Sequence, residues 1–259
     1  TETGESGEDS VSYCFLEDSA FEYAAQGLSG QELLWYEEIR DILASFGENA
    51  TLDETGIEAG LDERDIDRIF QYVLSDHPEL FYVEGYSYTK YTKGDETVSF
   101  DFTGTYSVDA ETAEARRKEI GAEAERILGN IGGDWDDYAK AKAVYETVIL
   151  ETDYDRNAPE NQNIYSVFVN HRSVCQGYAK ATQFLLNRLG VECTLVTGTV
   201  ETGETHAWNL VRVDGAYYYL DTTWGDASYS LDDDTTMAAN RPQINYDYLN
   251  VTTQALLRT

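Results

Sequence analysis

Cys175 lies in RSVCQGYAK, at 172–180, where cap-forming residues meet a run of helical periodicity. A thiol at a helix start has its thiolate stabilised by free backbone N–H groups and by the helix dipole. Ser173 reads as the N-cap. Tyr178, Ala181, Thr182, Leu185 and Leu189 form an inward stripe that ends at Gly190, a good helix terminator. Cys175 then falls in the first turn, where it can serve as a nucleophile. The same N–H groups can stabilise the oxyanion of an attacked carbonyl, so one place serves both halves of acyl transfer. The plain alternative is a small side chain that fills space under the helix start.

A nucleophilic thiol needs a base, and the histidines are His77, His171 and His206. His206 opens HAWNLVRVDGAYYYLDTTW, which reads as strand, Asp-Gly turn and strand. With Asp214 and Gly215 as a two-residue loop, His206 falls opposite Thr223 and Trp208 opposite Asp221. Alternation then gathers His206, Trp208, Tyr219, Asp221 and Thr223 on one face. His206 and Asp221 become diagonal neighbours, roughly 7–8 Å apart at the backbone and closer at Cβ, within reach of a carboxylate–imidazole hydrogen bond. A three-residue loop would reverse the parity and turn Asp221 away. The constellation assigns attack to Cys175, proton transfer to His206, and orientation of the imidazole to Asp221. His171 is a rival base four residues before Cys175, but it has no comparable carboxylate nearby in sequence and is expected on the entry loop.

The segments SVCQGYAKATQFLLNRLGV, VTGTV and HAWNLVRVDGAYYYLDTTWGD resemble the transglutaminase-like superfamily. The likeness is to the bacterial transglutaminase-core proteins, in which a Cys-x-Gly-Tyr-Ala helix start precedes His-Ala-Trp-Asn and Asp-x-Thr-Trp. It runs from Tyr138 to Asp226, and DHPELFYV upstream is more loosely similar to multi-helix Gram-positive members. The resemblance implies a papain-like α+β core and thiol acyl transfer without metal or organic cofactor, with Cys175, His206 and Asp221 as a catalytic triad. It also implies an aromatic or amide oxyanion donor ahead of the cysteine. NQNIYSVFVNHRSVC offers Tyr165 first, then Gln162 and Asn163. Trp208 and Trp224 are expected as walls of the site or as core.

An acyl-thioester can be resolved by water or by an amine. Most bacterial relatives resemble peptidases or amidases, so the expected reaction is hydrolysis of a peptide or protein amide, with amine-accepting cross-linking as the alternative. A reading from a different class is a noncatalytic cell-surface module that holds a peptide or glycan on the same scaffold.

Composition narrows the partners. Against 18 Lys and Arg stand 49 Asp and Glu, a formal net charge of -31, which repels nucleic-acid backbones and anionic membrane surfaces. With 42% hydrophobic residues and 20 tyrosines, the chain is too apolar and aromatic to be a disordered acidic segment. No apolar run approaches the roughly 18 residues of a spanning helix. The opening TETGESGEDS reads as a solvated tether of the kind left when a secretion signal or lipid-anchored segment is removed, which points to an extracellular or cell-surface location. Of Cys14, Cys175 and Cys193, the last sits in the apolar run VECTLVTG and is expected as a buried free thiol; pairing with Cys14 is the alternative.

Three regions are expected: a tether at 1–14, a mostly helical region with a β-hairpin at 15–108, and the catalytic core at 109–259. In the second region Leu33, Leu34, Ile39, Ile42, Leu43 and Phe46 trace a helix capped by Ser29. Another helix, with Ile66, Ile69, Phe70, Val73 and Leu74, stops at Pro78, and His77 belongs to that stop. Aromatic alternation around Lys93, Gly94 and Asp95 marks the hairpin. The core adds helices from Asp109 through Leu128 and from Trp135 to Leu150, split by GNIGGD, before the helix at Cys175 and the strands TLVTGTV, HAWNLVRV and AYYYLDTTW. Helices followed by antiparallel strands make the class α+β.

TDYDRNAPE spaces Asp153, Asp155 and Asn157 like a calcium loop. Ala158 at the sharp turn and Ile164 at the twelfth position exclude that reading. Pro159 and Gln162 mark this stretch instead as a mobile loop over the cysteine. The acidic run Asp232, Asp233, Asp234 is expected as a solvated turn.

Overall fold

The computed structural model describes residues 21–227 and 243–256. The expected tether, Cys14 and the acidic run at Asp232 lie outside the described residues. The chain divides into two compact units, Glu22–Ala115 and a second that takes in Arg116–Thr259.

In the first unit α1 (Gln31–Ala44) packs on α3 (Glu63–Asp76), and a short α2 (Glu54–Glu58) lies between them in sequence. The start of α3 is held by a reciprocal capping box: Asp62 accepts from the Arg64 N–H at 2.9 Å, and Asp65 accepts from the Asp62 N–H at 2.9 Å. Its Ile66, Ile69, Phe70 and Val73 are buried, as their spacing predicts. Helix α1 departs from expectation at its start. Gly30, at φ 54°, occupies the cap position without a side-chain bond, while Glu32 reaches back to the Ser29 N–H. Its buried face is Trp35, Tyr36, Ile39 and Leu43. Trp35 turns inward because its indole N–H donates to the Asp53 carbonyl at 2.9 Å. A three-stranded antiparallel sheet in the order β1 (Ala50–Thr51), β3 (Glu96–Tyr106), β2 (Val83–Lys93) completes the unit, with the hairpin turning at Gly94 and Asp95 between Lys93 and Glu96.

α3 ends at His77, which is buried in a polar network. Its Nδ1 lies 2.7 Å from Glu79, and its Nε2 lies 3.0 Å from the Tyr36 hydroxyl and 3.4 Å from Glu22. The Tyr36 hydroxyl donates to Asp76, which also accepts from the Ala24 and Ala25 N–H groups. Burial acts to lower the His77 pKa, but hydrogen bonds and charges from Glu22 and Glu79 outweigh it and raise the group to about 9. A histidine whose folded pKa exceeds its unfolded value of about 6.5 stabilises fully below that value and loses the contribution as pH climbs through the folded pKa. We expect stability to fall by about 3 kcal/mol between roughly pH 6.5 and 9.5 through this residue. Urea titrations across that range should show a smaller fall in His77→Gln than in the parent; equal slopes would contradict the assignment.

The second unit is built around α7 (Cys175–Arg188). Gly177, Tyr178, Ala179 and every residue from Ala181 to Asn187 are buried, so the helix is enclosed on nearly all sides, more than the predicted stripe implies. α5 (Asp137–Glu151) and α6 (Ile164–Phe168) cover it, and α4 (Ala110–Leu128) precedes them. An antiparallel sheet of β6 (Cys193–Thr199), β7 (Thr205–Val213) and β8 (Ala216–Leu220) packs on another side. Asn209 on β7 ties sheet to helix by donating to the Ala179 carbonyl at 2.9 Å. Cys193 is a buried free thiol at the start of β6.

The turn that sets the register is the expected two-residue one. Asp214 and Gly215 both have positive φ, 50° and 82°, and Val213 pairs with Ala216. The ladder stops at Leu220 paired with Asn209. The rest of the expected strand, DTTW, turns into a short helix α8 (Thr222–Gly225), because the Asp221 carboxylate caps it by accepting from the Thr223 and Trp224 N–H groups. His206 and Trp208 therefore have no strand partners at 223 and 221.

Gly177 sits where α7 passes the buried Ser173 and Ser166 hydroxyls. A Cβ there would overlap the Ser173 oxygen and crowd Ser166 Oγ at 3.1 Å. Gly177→Ala should destabilise the protein by about 1–3 kcal/mol, as overpacking does, and calorimetry would detect it. An unchanged melting temperature would mean that this contact is slack.

Candidate active site

A two-stranded parallel pair sets the entry to α7. β4 (Asp153–Tyr154) pairs with β5 (Arg172–Ser173), and the Asp155 N–H donates to the Ser173 carbonyl at 2.9 Å. Ser173 is not the N-cap. It is buried, and its hydroxyl donates to the Asn161 carbonyl at 2.8 Å and lies 2.7 Å from Ser166 Oγ. Val174 occupies the cap position with no side-chain bond, and the first helical bond runs from the Tyr178 N–H to the Val174 carbonyl. Cys175 is thus the first helical residue, and no capping side chain occupies the N–H groups around it. One of them, from Gln176, points to the Cys175 sulfur.

His206, on β7, meets Asp221 at the end of β8. Nε2 of the imidazole lies 2.7 Å from Asp221 Oδ2, and both side chains are buried. The other carboxylate oxygen, Oδ1, accepts from the Thr223 and Trp224 N–H groups, each at 2.9 Å. Trp224 stacks on the imidazole at 4.7 Å and 14°, and Trp208 lies 5.7 Å away on the same strand at 23°. With Nε2 engaged by the carboxylate, Nδ1 is the nitrogen left for the sulfur.

Electrostatics make sulfur and imidazole a coupled pair. Burial acts to raise the Cys175 pKa, but the hydrogen bond and charge of His206, with the N–H groups of Ala207 and Gln176, outweigh it and hold the thiol below its ordinary value. Burial acts to lower the His206 pKa, and the bonds and charges of Asp221 and Cys175 reverse it, so the imidazole is held well above its ordinary value. Both directions favour thiolate beside imidazolium.

A cleft of about 330 Å³ opens on this pair, lined by Cys175, His206 and Trp224 together with Tyr154, Arg156, Val200, Glu204 and Thr205. Among the described residues no group of three or more His, Cys, Asp or Glu side chains is arranged to hold a metal ion, and no helix is long and apolar enough to cross a membrane.

The remaining sequence-derived candidates fall elsewhere. The Tyr165 hydroxyl donates to Glu119 on α4 at 2.8 Å, and the Arg116 guanidinium lies 4.6 Å over its ring, so this side chain faces α4 and does not line the cleft. Asn163 caps α6 by accepting from the Ser166 N–H, and Gln162 is exposed. His171 is exposed, with Nδ1 3.0 Å from the Glu151 carbonyl. Trp208 stacks near the imidazole without lining the cleft. The segment at 155–163 is tied down at several points: Asn161 donates to the carbonyls of Asp155 and Arg156, and its own carbonyl accepts from Val174 and Ser173. Sequence reasoning missed Tyr154, Arg156 and Glu204 as cleft residues.

The transglutaminase-like superfamily model matches residues 125–222, which hold α5, α7, the sheet and all three of Cys175, His206 and Asp221. This core belongs to the transglutaminase-like superfamily. Kyphoscoliosis peptidase of Mus musculus is 26% identical to the chain over 105 residues, and its Homo sapiens counterpart is 25% identical over the same length. Each alignment covers 34% of this chain and 16% of the relative, so the match spans about a sixth of those proteins. A solved structure of a TGase is similar at 18% identity and a TM-score of 0.38, over 63% of this chain and 48% of that one. The mixed helix-and-sheet architecture of the transglutaminase-like core agrees with the α+β class and papain-like core expected from the motifs.

Proposed function

We propose that the protein hydrolyses peptide or protein amides by thiol acyl transfer, with Cys175 as nucleophile, His206 as acid and base, and Asp221 as the group that orients His206. The observation that carries this reading is the 2.7 Å bond between His206 Nε2 and Asp221 beside a thiol whose ionised form is favoured in the same cleft. The Cys175 thiolate adds to the amide carbonyl carbon, and the oxyanion that forms takes hydrogen bonds from the first N–H groups of α7. Collapse breaks the C–N bond as His206 gives its Nδ1 proton to the leaving amine, leaving a thioester and neutral imidazole. Water then loses a proton to Nδ1 as it adds to the thioester, and departure of the thiolate restores the starting pair. No step requires Tyr165.

Water is favoured over an amine as acceptor because the curated relatives that match this core are named peptidases. Incubation with a peptide library and a dansylated amine separates the two. Cleaved peptides without dansyl label are the expected products; labelled peptides in equal or greater yield would make the protein a cross-linking transglutaminase.

A further inference from the structure

His206 stands against two indoles whose faces the acyl-transfer steps do not use. Trp224 stacks on the imidazole with ring centroids 4.7 Å apart and planes inclined by 14°, and Trp208 lies at 5.7 Å and 23°. Both distances fall within the roughly 6 Å over which the negative face of an indole attracts a cation. Dispersion between the rings is much the same for neutral and charged imidazole, so it does not choose between the two forms. The attraction of a ring face for positive charge does choose, because it acts on the imidazolium alone.

Neighbouring parts of the site set both indoles in place. The Trp224 N–H donates to Asp221 Oδ1 at 2.9 Å while Oδ2 takes the imidazole at 2.7 Å, so one carboxylate positions both members of the stack. Tyr248 meets the far more exposed cleft ring, Trp224, in a T-shaped contact at 5.4 Å. Trp208 lies against Gly198, the residue paired with His206 across β6 and β7, and a Cβ on Gly198 would come within 2.6 Å of the Trp208 ring. The Trp208 indole N–H is buried without a hydrogen-bond partner among the described residues. An unpaired buried donor costs free energy, so what this position gains from the side chain is its ring and not its polar edge.

The titratable groups in contact with the imidazole are the Cys175 thiol from α7 and the Asp221 carboxylate at the end of β8. Glu204 and Arg156 line the same cleft. Burial and the Asp221 charge raise the Tyr145 and Tyr248 phenols above their ordinary values, so both are neutral where thiol and imidazole titrate. An indole face stabilises the imidazolium without adding an acceptor that would compete with the sulfur for Nδ1.

We propose that Trp224 is a positioning residue whose indole face stabilises the His206 imidazolium by a cation–π contact and so favours the charged pair from which Cys175 attacks. The inference rests on the reading of Cys175 as the nucleophile and His206 as its base.

Fluorinated tryptophans placed at position 224 test this, because fluorine draws electron density from the ring face and leaves its shape nearly unchanged. The readouts are the pH profile of Cys175 alkylation by iodoacetamide and the titration of the His206 ring protons by NMR. As fluorines are added, the alkylation midpoint should move to higher pH, and His206 should lose its proton at lower pH. Below the parent's midpoint the rate should fall about fivefold with the benzo ring fully fluorinated, and on the plateau, where every form is thiolate, it should change less than about twofold. Trp224→Phe should fall between that form and the parent. Profiles unmoved by fluorination would overturn the inference even if Trp224→Leu shifted them, since lost packing alone moves only the latter. Rapid alkylation of the parent with unmoved profiles leaves the nucleophile reading standing and removes only this one. Alkylation of the parent no faster than that of free cysteine at neutral pH would remove both.

Discussion

Cys175→Ala is expected to reduce peptide turnover by about 10⁴-fold or more, because loss of the nucleophile from a triad removes the covalent route and leaves only binding and oxyanion stabilisation. The fold should survive. The side chain is only part-buried at the first position of α7, the substitution removes one atom, and alanine is the best helix former. The N–H to carbonyl ladder of the helix does not run through the sulfur, which takes the N–H groups of Gln176 and Ala207 instead. The variant should also show a less basic His206, since the sulfur is one of the groups that raise the imidazole. Turnover equal to that of the parent, in a protein of unchanged circular dichroism, would remove the mechanism.

Asp221→Asn is expected to cost about 10⁴-fold in kcat with little change in melting temperature, and the reason lies in how the carboxylate divides its two oxygens. Oδ1 caps α8 and Oδ2 takes the imidazole. An asparagine has one acceptor oxygen, and the two N–H groups of Thr223 and Trp224 claim it. Its NH₂ then faces His206 Nε2 as a donor, so Nε2 must accept and the proton sits on Nδ1. That tautomer cannot take the thiol proton, and the imidazolium loses its counter-charge. The helix cap is retained, so stability changes little. Asp221→Ala should lose both functions, adding about 1 kcal/mol of destabilisation from the lost cap. Weak residual turnover in Asp221→Asn fits this picture. An unimpaired variant would show that the carboxylate does not orient the imidazole.

The pairing of His206 with Asp221 was legible from the Asp214-Gly215 turn, because two positive-φ residues fix the register of a hairpin and register fixes faces. The route to the contact was not. Asp221 leaves the ladder after Leu220 and reaches the imidazole from a helix cap, a change of direction that strand alternation does not encode. Ser173 has the right chemistry for a cap, yet it is drawn inward by Asn161 and Ser166, partners set by the tertiary fold. Tyr165 stands away from the cleft for a similar reason. Its ring and hydroxyl are claimed by Arg116 and Glu119, some 46 residues earlier for the latter. The cleft walls at Tyr154 and Arg156 depend on a parallel pair two residues long, too short to leave a periodic trace. α7 and the sheet, by contrast, are long elements whose apolar patterns survive packing.

The most direct test is the pH dependence of Cys175 alkylation by iodoacetamide in the parent and in His206→Gln. If thiolate and imidazolium form one pair, the parent reacts below the roughly pH 8.5 at which an ordinary thiol ionises, and the variant's profile moves to higher pH because the hydrogen bond and charge of the imidazole no longer oppose burial. Superimposable profiles would mean that the imidazole does not act on the sulfur, and the proposed chemistry would fall.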